Sequence, residues 1–189
     1  MGTGLVILLV VLAVVVLLAL FLFSAYNRLI TLRQRVKEAW SGIDVQLKRR
    51  ASLVPNLVET VKGYAAHEQA VLENVTRARA MLQSAGGPQA AAQADNMLTG
   101  ALRSLFAVSE AYPQLRANDN FRQLQTELSG LEAKIAYARQ FYNTNVRDMN
   151  SAIQTFPTVV VARNFGFREA EYFEAAEADR ADVQVKFTP

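Results

Sequence analysis

The sequence contains no cysteine and a single histidine, His67, among its 189 residues. Without cysteine the chain cannot form a disulfide or a thiolate metal site, and nothing indicates its redox compartment. One histidine cannot supply the two Glu-x-x-His pairs of a di-iron carboxylate bundle. A zinc-protease motif that began at His67 would need a second histidine at position 71, which is Val71.

Catalytic and nucleotide-binding motifs are also missing. The absence of cysteine excludes a Cys-His pair, and no Ser-His-Asp constellation can be assembled around the unpartnered His67. There is no glycine-rich Walker A or dinucleotide motif, and no basic surface interleaved with aromatic residues points to nucleic acid. We therefore expect a protein that is not an enzyme, without catalytic residues, metal, cofactor or nucleic-acid partner. The remaining enzyme hypothesis would use scattered carboxylates such as Glu59, Glu68, Glu127 and Glu132.

The most apolar part of the chain is Leu5–Phe23, which is 19 residues without a polar side chain. As a helix it would cover about 28 Å, close to the roughly 30 Å hydrocarbon core of a bilayer. A cleaved signal peptide would need a basic N-terminal region and a shorter apolar stretch, and Met1–Gly4 carries no basic residue. We therefore predict an uncleaved membrane anchor over residues 1–24 that contacts lipid through residues 5–23.

The basic residues near this segment all follow it. Arg28, Arg33, Arg35 and Lys37 come shortly after the apolar run, and no lysine or arginine precedes it. Basic flanks of membrane helices stay in the cytoplasm. The pattern favours a single-pass protein whose soluble domain is cytoplasmic.

Charge is unevenly distributed along the chain. Residues 24–50 carry seven basic and two acidic side chains, a net +5, whereas residues 168–182 carry two basic and six acidic ones, a net −4. The basic region ends in Lys48, Arg49 and Arg50, about 39 Å beyond the membrane segment in a helix, where lipid attraction with a range of about 8 Å has decayed. The run is either a solvated or internally paired face, or a binding site for an acidic partner or the acidic tail.

Apolar residues after the membrane segment recur with the period of a helix. One stripe comprises Val36, Trp40, Ile43, Leu47, Ala51, Val54, Val58 and Val61. Pro55 lies inside this stripe and deletes only the bond to the Ala51 carbonyl, so we predict one kinked helix. The alternative is a new helix capped by Ser52, with Pro55 in its first turn. Gly63 should end the helix as a left-handed C-cap.

Two more helices follow, over about residues 66–83 and from Pro88 to Pro113, separated by a glycine-containing loop. Their apolar residues are again three or four positions apart. Short loops between long helices make neighbouring helices antiparallel.

The last long helix shows the strongest periodicity in the chain. Asn118–Asn120 offers side chains for its N-cap, and Phe156–Pro157 ends it. Asn145 falls on its apolar seam, where a buried polar residue fixes helix register. The predicted fold is all-α: a transmembrane helix, then an antiparallel bundle of about four long helices over residues 25–157.

The segment 158–189 differs from the bundle, and we expect an extended, acidic tail. Thr158–Val161 is β-branched, residues 168–178 suit a short acidic helix, and apolar and polar residues alternate over 182–187. Five aromatic rings in this tail must either fold back on the bundle or contact a partner: Phe165, Phe167, Tyr172, Phe173 and Phe187.

Four segments resemble the bacterial LemA family: RRASLVPNLVETVKGYAAHE (49–68), AYPQLRANDNFRQLQTELSGLE (111–132), IAYARQFYN (135–143) and FPTVVVARNFGF (156–167). The resemblance covers about residues 24–175. It implies a membrane-anchored bundle of about four helices and offers no established catalytic residues to transfer. Members of the family are of unknown function, with relatives linked to bacterial membranes, including the magnetosome membrane.

These observations favour a non-enzymatic scaffold or adaptor in the bacterial inner membrane. Its predicted partners are membrane lipid and other membrane proteins, and a homo-oligomer is allowed. The candidate partner-binding residues are the basic run and the five tail aromatics. An alternative is a regulatory or substrate-presenting subunit of a membrane protease.

Overall fold

A computed structural model describes residues 2–174, and every regular element in this part of the chain is helical, which confirms the all-α fold. We number the helices α1 to α6: Gly2–Lys62, Gln69–Ser84, Pro88–Glu110, Pro113–Ala117, Asp119–Gln154 and Thr158–Asn164. The chain divides into two compact units. Within the described residues, the first unit comprises residues 2–39 and 143–170, and the second unit comprises residues 40–142 and 171–174.

Helix α1 begins with the apolar segment, whose side chains are exposed from Leu5 to Phe23. By its length and its apolar composition, α1 is the one helix within residues 2–174 that could cross a bilayer. A run of exposed leucine, valine and phenylalanine needs a nonaqueous environment to cover it.

Helix α1 continues through Pro55, so the prediction of one helix is confirmed. Ser52 does not cap a new helix, because its hydroxyl donates to the Arg49 carbonyl at 2.8 Å. The carbonyl of Ala51, which loses its usual donor to the proline, accepts a hydrogen bond from Arg79 Nε on α2 at 2.9 Å. Helix α2 therefore supplies the bond that Pro55 removes.

In the first unit, α1, α5 and α6 contribute the buried residues. These include Ala25, Leu29, Leu32 and Val36 from α1, Val146, Met149, Ala152 and Ile153 from α5, and Val161 and Ala162 from α6. Asn150 binds the segment after α6: its Nδ2 donates to the Ala170 carbonyl at 3.0 Å, and its Oδ1 accepts from the Ala170 N–H at 2.8 Å. A buried amide thus satisfies both polar groups of one loop residue.

In the second unit, α1, α2, α3 and α5 bury most of the predicted apolar stripes, although Leu57 is buried in place of the predicted Val58. Buried residues include Ile43, Leu47, Val54, Leu57 and Val61 of α1, Leu72, Val75 and Leu82 of α2, Leu98, Leu102 and Leu105 of α3, and Phe121, Leu128, Leu131 and Ile135 of α5. The short α4, which the sequence analysis did not predict, adds Leu115. Removing these side chains from water is the main favourable term for this packing.

Most helix ends follow the predicted signals. Pro88 begins α3, and Asn118 caps α5 by accepting the Phe121 N–H on Oδ1 at 3.0 Å. Helix α5 ends at Gln154, just before Pro157, which follows a cis peptide bond. Helix α2 starts at Gln69, three residues later than expected.

Gly63 corrects one prediction. Helix α1 does end beside it, at Lys62, but the positive-φ residues of the described chain are Gly87 and Gly166 and not Gly63. The Gly63 N–H still bonds to the Glu59 carbonyl at 3.3 Å, so the backbone leaves the helix without a left-handed residue. The position of the helix end was predicted correctly, and its conformation was not.

The start of the tail corrects another prediction. The β-branched run Thr158–Val161 lies in α6 and is not extended, because burial of Val161 and Ala162 outweighs its local strand preference. Residues 168–174 carry no regular secondary structure, and the rest of the predicted acidic helix and the alternating segment 182–187 lie outside the described residues.

The bond between Arg79 and the Ala51 carbonyl generates a prediction. We expect Arg79→Ala to destabilise the chain by about 1–3 kcal/mol, because it leaves a part-buried carbonyl without a donor. The same substitution should cost about 1 kcal/mol less in a Pro55→Ala background, where the introduced alanine donates its backbone N–H to that carbonyl. Chemical unfolding of the full chain in micelles, followed by circular dichroism, measures all four free energies.

Arg77→Ala is the matched control, because Arg77 is an exposed arginine on the same helix. It should change the unfolding free energy by less than about 0.5 kcal/mol. Pro55→Ala alone should keep the fold with equal or higher stability. An Arg79→Ala effect of the same size in both backgrounds would contradict the assigned role of this bond.

Candidate interaction surfaces

The structure separates the three residues of the predicted basic site. Lys48 and Arg49 are exposed, and the ammonium of Lys48 lies 2.6 Å from Asp44 one turn earlier. Arg50 corrects the assignment of this residue to partner binding, because its side chain is only 2% exposed, and it matches the alternative of an internally paired residue. It points into the second unit and is not accessible to a partner there.

Arg50 joins three helices through two carboxylates. Its Nη1 donates to Asp95 Oδ1 on α3 at 2.7 Å, and its Nη2 donates to Glu132 Oε1 on α5 at 2.9 Å. Asp95 is also buried, whereas the Glu132 side chain is 53% exposed. Arg50 Nε has no hydrogen-bond partner within the described residues. We call Arg50, Asp95 and Glu132 the buried cluster, after the buried pair of Arg50 and Asp95 at its centre.

The environment of Asp95 has two opposing effects on its carboxyl. Burial raises the pKa of Asp95, and the Arg50 guanidinium lowers it, with burial the larger effect. The carboxylate therefore depends on its arginine partner to remain charged inside the protein. The arrangement serves helix association and supplies no open proton-transfer site.

Two of the predicted tail aromatics lie in the first unit. One ring is folded back into the core, and the other is exposed. Phe167 is buried, with its ring centroid 5.8 Å from that of Tyr26 and 5.3 Å from the guanidinium carbon of Arg33. Phe165 also contacts Tyr26, at 5.0 Å between centroids, but keeps most of its ring exposed. Phe167 is therefore corrected to a core residue, and Phe165 remains a candidate surface residue.

The second unit shows the same division. Phe173 is fully buried, 6.4 Å from the Trp40 ring, whereas Tyr172 beside it stays exposed. Tyr142 packs 5.9 Å from Trp40, and its hydroxyl donates to the Glu171 carbonyl at 2.8 Å. Burial raises the pKa of Tyr142 to about 12. Phe173 is thus corrected to a core residue.

The other predicted residues have the following positions. Asn145 is buried on α5, as its place on the apolar seam indicated. Phe187 lies outside the described residues, so its role in partner binding stays a prediction.

Several exposed aromatic and apolar residues were missed by the sequence analysis. On α5, Tyr137 is 73% exposed and Phe141 is 53% exposed. Phe156 and Val160 are exposed in the first unit. Tyr137 and Phe141 are four residues apart, and both fall between the seam positions, which is the signal that would have identified them.

The second unit also has a cleft of about 450 Å³ between α1, α2 and the start of α3. Its lining combines Trp40, Leu47 and Leu82 with the ion pair of Asp44 and Lys48. Within residues 2–174, no three histidine or acidic side chains group together as ligands for a metal. The lining of the cleft thus combines apolar side chains with one ion pair.

Comparison with known proteins points to one family. The profile described as "LemA family" matches residues 39–187, which is most of the chain. The match includes the buried cluster, the Pro55 region and all helices after α1.

Individual relatives come from several bacteria. Magnetosome protein MamQ 2 of Paramagnetospirillum magneticum is 28% identical over 194 residues, covering 89% of this chain and 71% of that protein. Magnetosome protein MamQ of Magnetospirillum gryphiswaldense is 27% identical, with 94% and 76% covered. Protein LemA of Metamycoplasma hominis is 29% identical, with 83% and 72% covered. The chain is similar to each of these over most of both lengths.

The buried cluster predicts different outcomes for neighbouring arginines. Arg50→Met should destabilise the full chain by about 3–5 kcal/mol, because it leaves the Asp95 carboxylate buried without its partner. Arg49→Met, the exposed neighbour, should change stability by less than about 0.5 kcal/mol. Chemical unfolding in micelles, followed by circular dichroism, measures both values.

The pH dependence tests the same contact. Loss of the guanidinium leaves burial to raise the pKa of Asp95 further in Arg50→Met. A raised native-state pKa favours folding at low pH and loses that contribution as pH rises through it, so the deficit of this variant should shrink on acidification. Replacing both partners, as in Arg50→Met/Asp95→Leu, should recover most of the loss. Equal stability of the Arg49 and Arg50 variants would show that the cluster is not structural.

Proposed function

Because the chain belongs to the LemA family, and because the apolar segment at the start of α1 is exposed, we propose that this membrane-associated protein is a non-enzymatic scaffold or adaptor. In this proposal, α1 anchors the chain in the bacterial inner membrane, and the helices that follow bind other membrane proteins on the cytoplasmic side. The basic residues that follow the apolar segment support that orientation.

The observation that carries the proposal is the pair Tyr137 and Phe141. Both rings keep more than half of their surface exposed although the apolar seam of α5 is buried beside them. A separation of four residues places them on one face of the helix. Large aromatic side chains on a surface are enriched at binding hot spots, where they bury area with little loss of conformational freedom.

Two exposed basic residues form a second candidate binding surface. Lys48 and Arg49 remain exposed after Arg50 is assigned to the core, and Lys48 is held by Asp44 at the edge of the cleft lined by Trp40. A cationic edge beside an apolar wall suits an acidic segment of a partner that also carries apolar side chains. Such a site would use charge for orientation and the apolar wall for affinity.

Crosslinking in intact cells tests the proposal. We expect the wild-type chain to crosslink to a defined set of membrane proteins, and the double variant Tyr137→Ser/Phe141→Ser to lose at least one of them by more than tenfold, the effect of about 1.4 kcal/mol. Lys48→Ser/Arg49→Ser should reduce crosslinking to a partner whose binding depends on charge and therefore on salt concentration. Quantitative mass spectrometry of the crosslinked products is the measurement.

Met97→Ser is the matched control, because Met97 is an exposed apolar residue on α3. It should leave the crosslinked set unchanged. The proposal is wrong if neither double variant alters any partner while both variants retain wild-type helicity.

A further inference from the structure

Three exposed apolar side chains lie close together in the first unit: Phe156, Val160 and Phe165. They are 83%, 48% and 62% exposed, and they fall within ten residues that include the whole of α6. We call them the interfacial group. Helix α6 buries Val161 and Ala162 against its own unit, so Val160 and the exposed Arg163 are left on its outer side.

The contact with Tyr26 places this group beside the end of the apolar segment. Tyr26 follows Phe23 by three residues, about 4.5 Å along α1. The Phe165 ring lies 5.0 Å from the Tyr26 ring. Phe165 is therefore at the depth where tyrosine and tryptophan belts occur in membrane proteins.

A cleft beside the other end of the group gives a second indication of depth. Thr155, the residue before Phe156, lines this cleft together with Arg28, Thr31, Leu32 and Arg35 of α1. Arg28 is five residues beyond Phe23, about 7.5 Å along the helix. The polar layer of a bilayer is roughly 5–7 Å thick on each side, so the Arg28 end of the cleft is at or near its outer part.

We propose that Phe156, Val160 and Phe165 insert into the interfacial layer of the same bilayer that α1 spans. The inference rests on the proposed membrane anchor. It adds a second membrane contact, formed by the turn between α5 and α6, to the contact made by the apolar segment. The lipid surface is the occupant that the placement favours, because these side chains continue the exposed apolar surface that ends in Leu22 and Phe23.

The charges around the interfacial group fit a lipid surface. Arg28 and Arg163 are both exposed. A guanidinium at this depth attracts anionic headgroups, and the apolar rings beside it reach the acyl boundary. Apolar insertion with flanking arginines is the pattern of segments that lie in the interface without crossing the membrane.

The absence of cysteine makes the test direct, since each labelled position needs only one substitution. We would introduce Phe156→Cys or Val160→Cys into the full chain, attach a nitroxide, and reconstitute the protein in vesicles of phosphatidylcholine and phosphatidylglycerol. Electron paramagnetic resonance then compares collisions with oxygen, which concentrates in lipid, and with a water-soluble nickel complex. We expect oxygen collisions to exceed nickel collisions several-fold at both positions.

Two controls separate this proposal from the anchor itself. Glu38→Cys, an exposed position on α1 about 22 Å beyond Phe23, should favour the nickel complex. Phe21→Cys should favour oxygen, which establishes that α1 is inserted.

Three results would overturn the proposal, and they are distinguishable. If positions 156 and 160 resemble Glu38→Cys while Phe21→Cys is in lipid, the anchor stands and the second contact does not exist. If both reagents are excluded at 156 and 160, a protein covers the surface instead of lipid. If Phe21→Cys itself favours nickel, the membrane anchor fails and this proposal fails with it.

Discussion

The structure depends on α1 remaining one helix from Gly2 to Lys62, because this element carries both the apolar segment and a stripe of core residues. Pro55 would be expected to weaken such a helix, since it removes a backbone donor. Arg79 compensates by donating to the Ala51 carbonyl. Helix α2 thus completes the hydrogen bonding of α1. The carbonyl that Pro55 leaves without a backbone donor becomes a tertiary contact between the two helices.

The buried cluster of Arg50, Asp95 and Glu132 is a second contact between helices that are far apart in the sequence. A guanidinium removed from water needs hydrogen-bond acceptors in place of its hydration, and here carboxylates from α3 and α5 supply them. Misaligned helices would leave a charge unpaired. We therefore expect the cluster to favour one packing arrangement over others more than it adds net stability, as buried ion pairs do in some proteins.

Features that depend on residues close together in the chain could be predicted from the sequence. Features that depend on residues far apart in the chain could not. The helices were predicted from the local spacing of their apolar residues. Most of their boundaries were predicted from local signals such as Pro88 and Asn118. The sequence left Arg50 open between an internally paired residue and a partner-binding residue because its partners lie 45 and 82 residues away, although Asp95 in an apolar helix was a signal of a buried partner. Tertiary burial likewise decides that Thr158–Val161 is helical and that Phe167 and Phe173 are core while Phe165 is exposed. Local patterns do not contain that information.

The distance across Pro55 tests the central claim, a continuous α1, most directly. Val45→Cys and Lys62→Cys place nitroxides at exposed positions on either side of the proline in a chain without other cysteines. Seventeen residues of α-helix predict a separation of about 26 Å between the two backbone positions, broadened by the label arms. Double electron–electron resonance on the full chain should give one narrow distribution near this value. A dominant population at clearly shorter distances would mean that the chain reverses at Pro55, and would contradict the account.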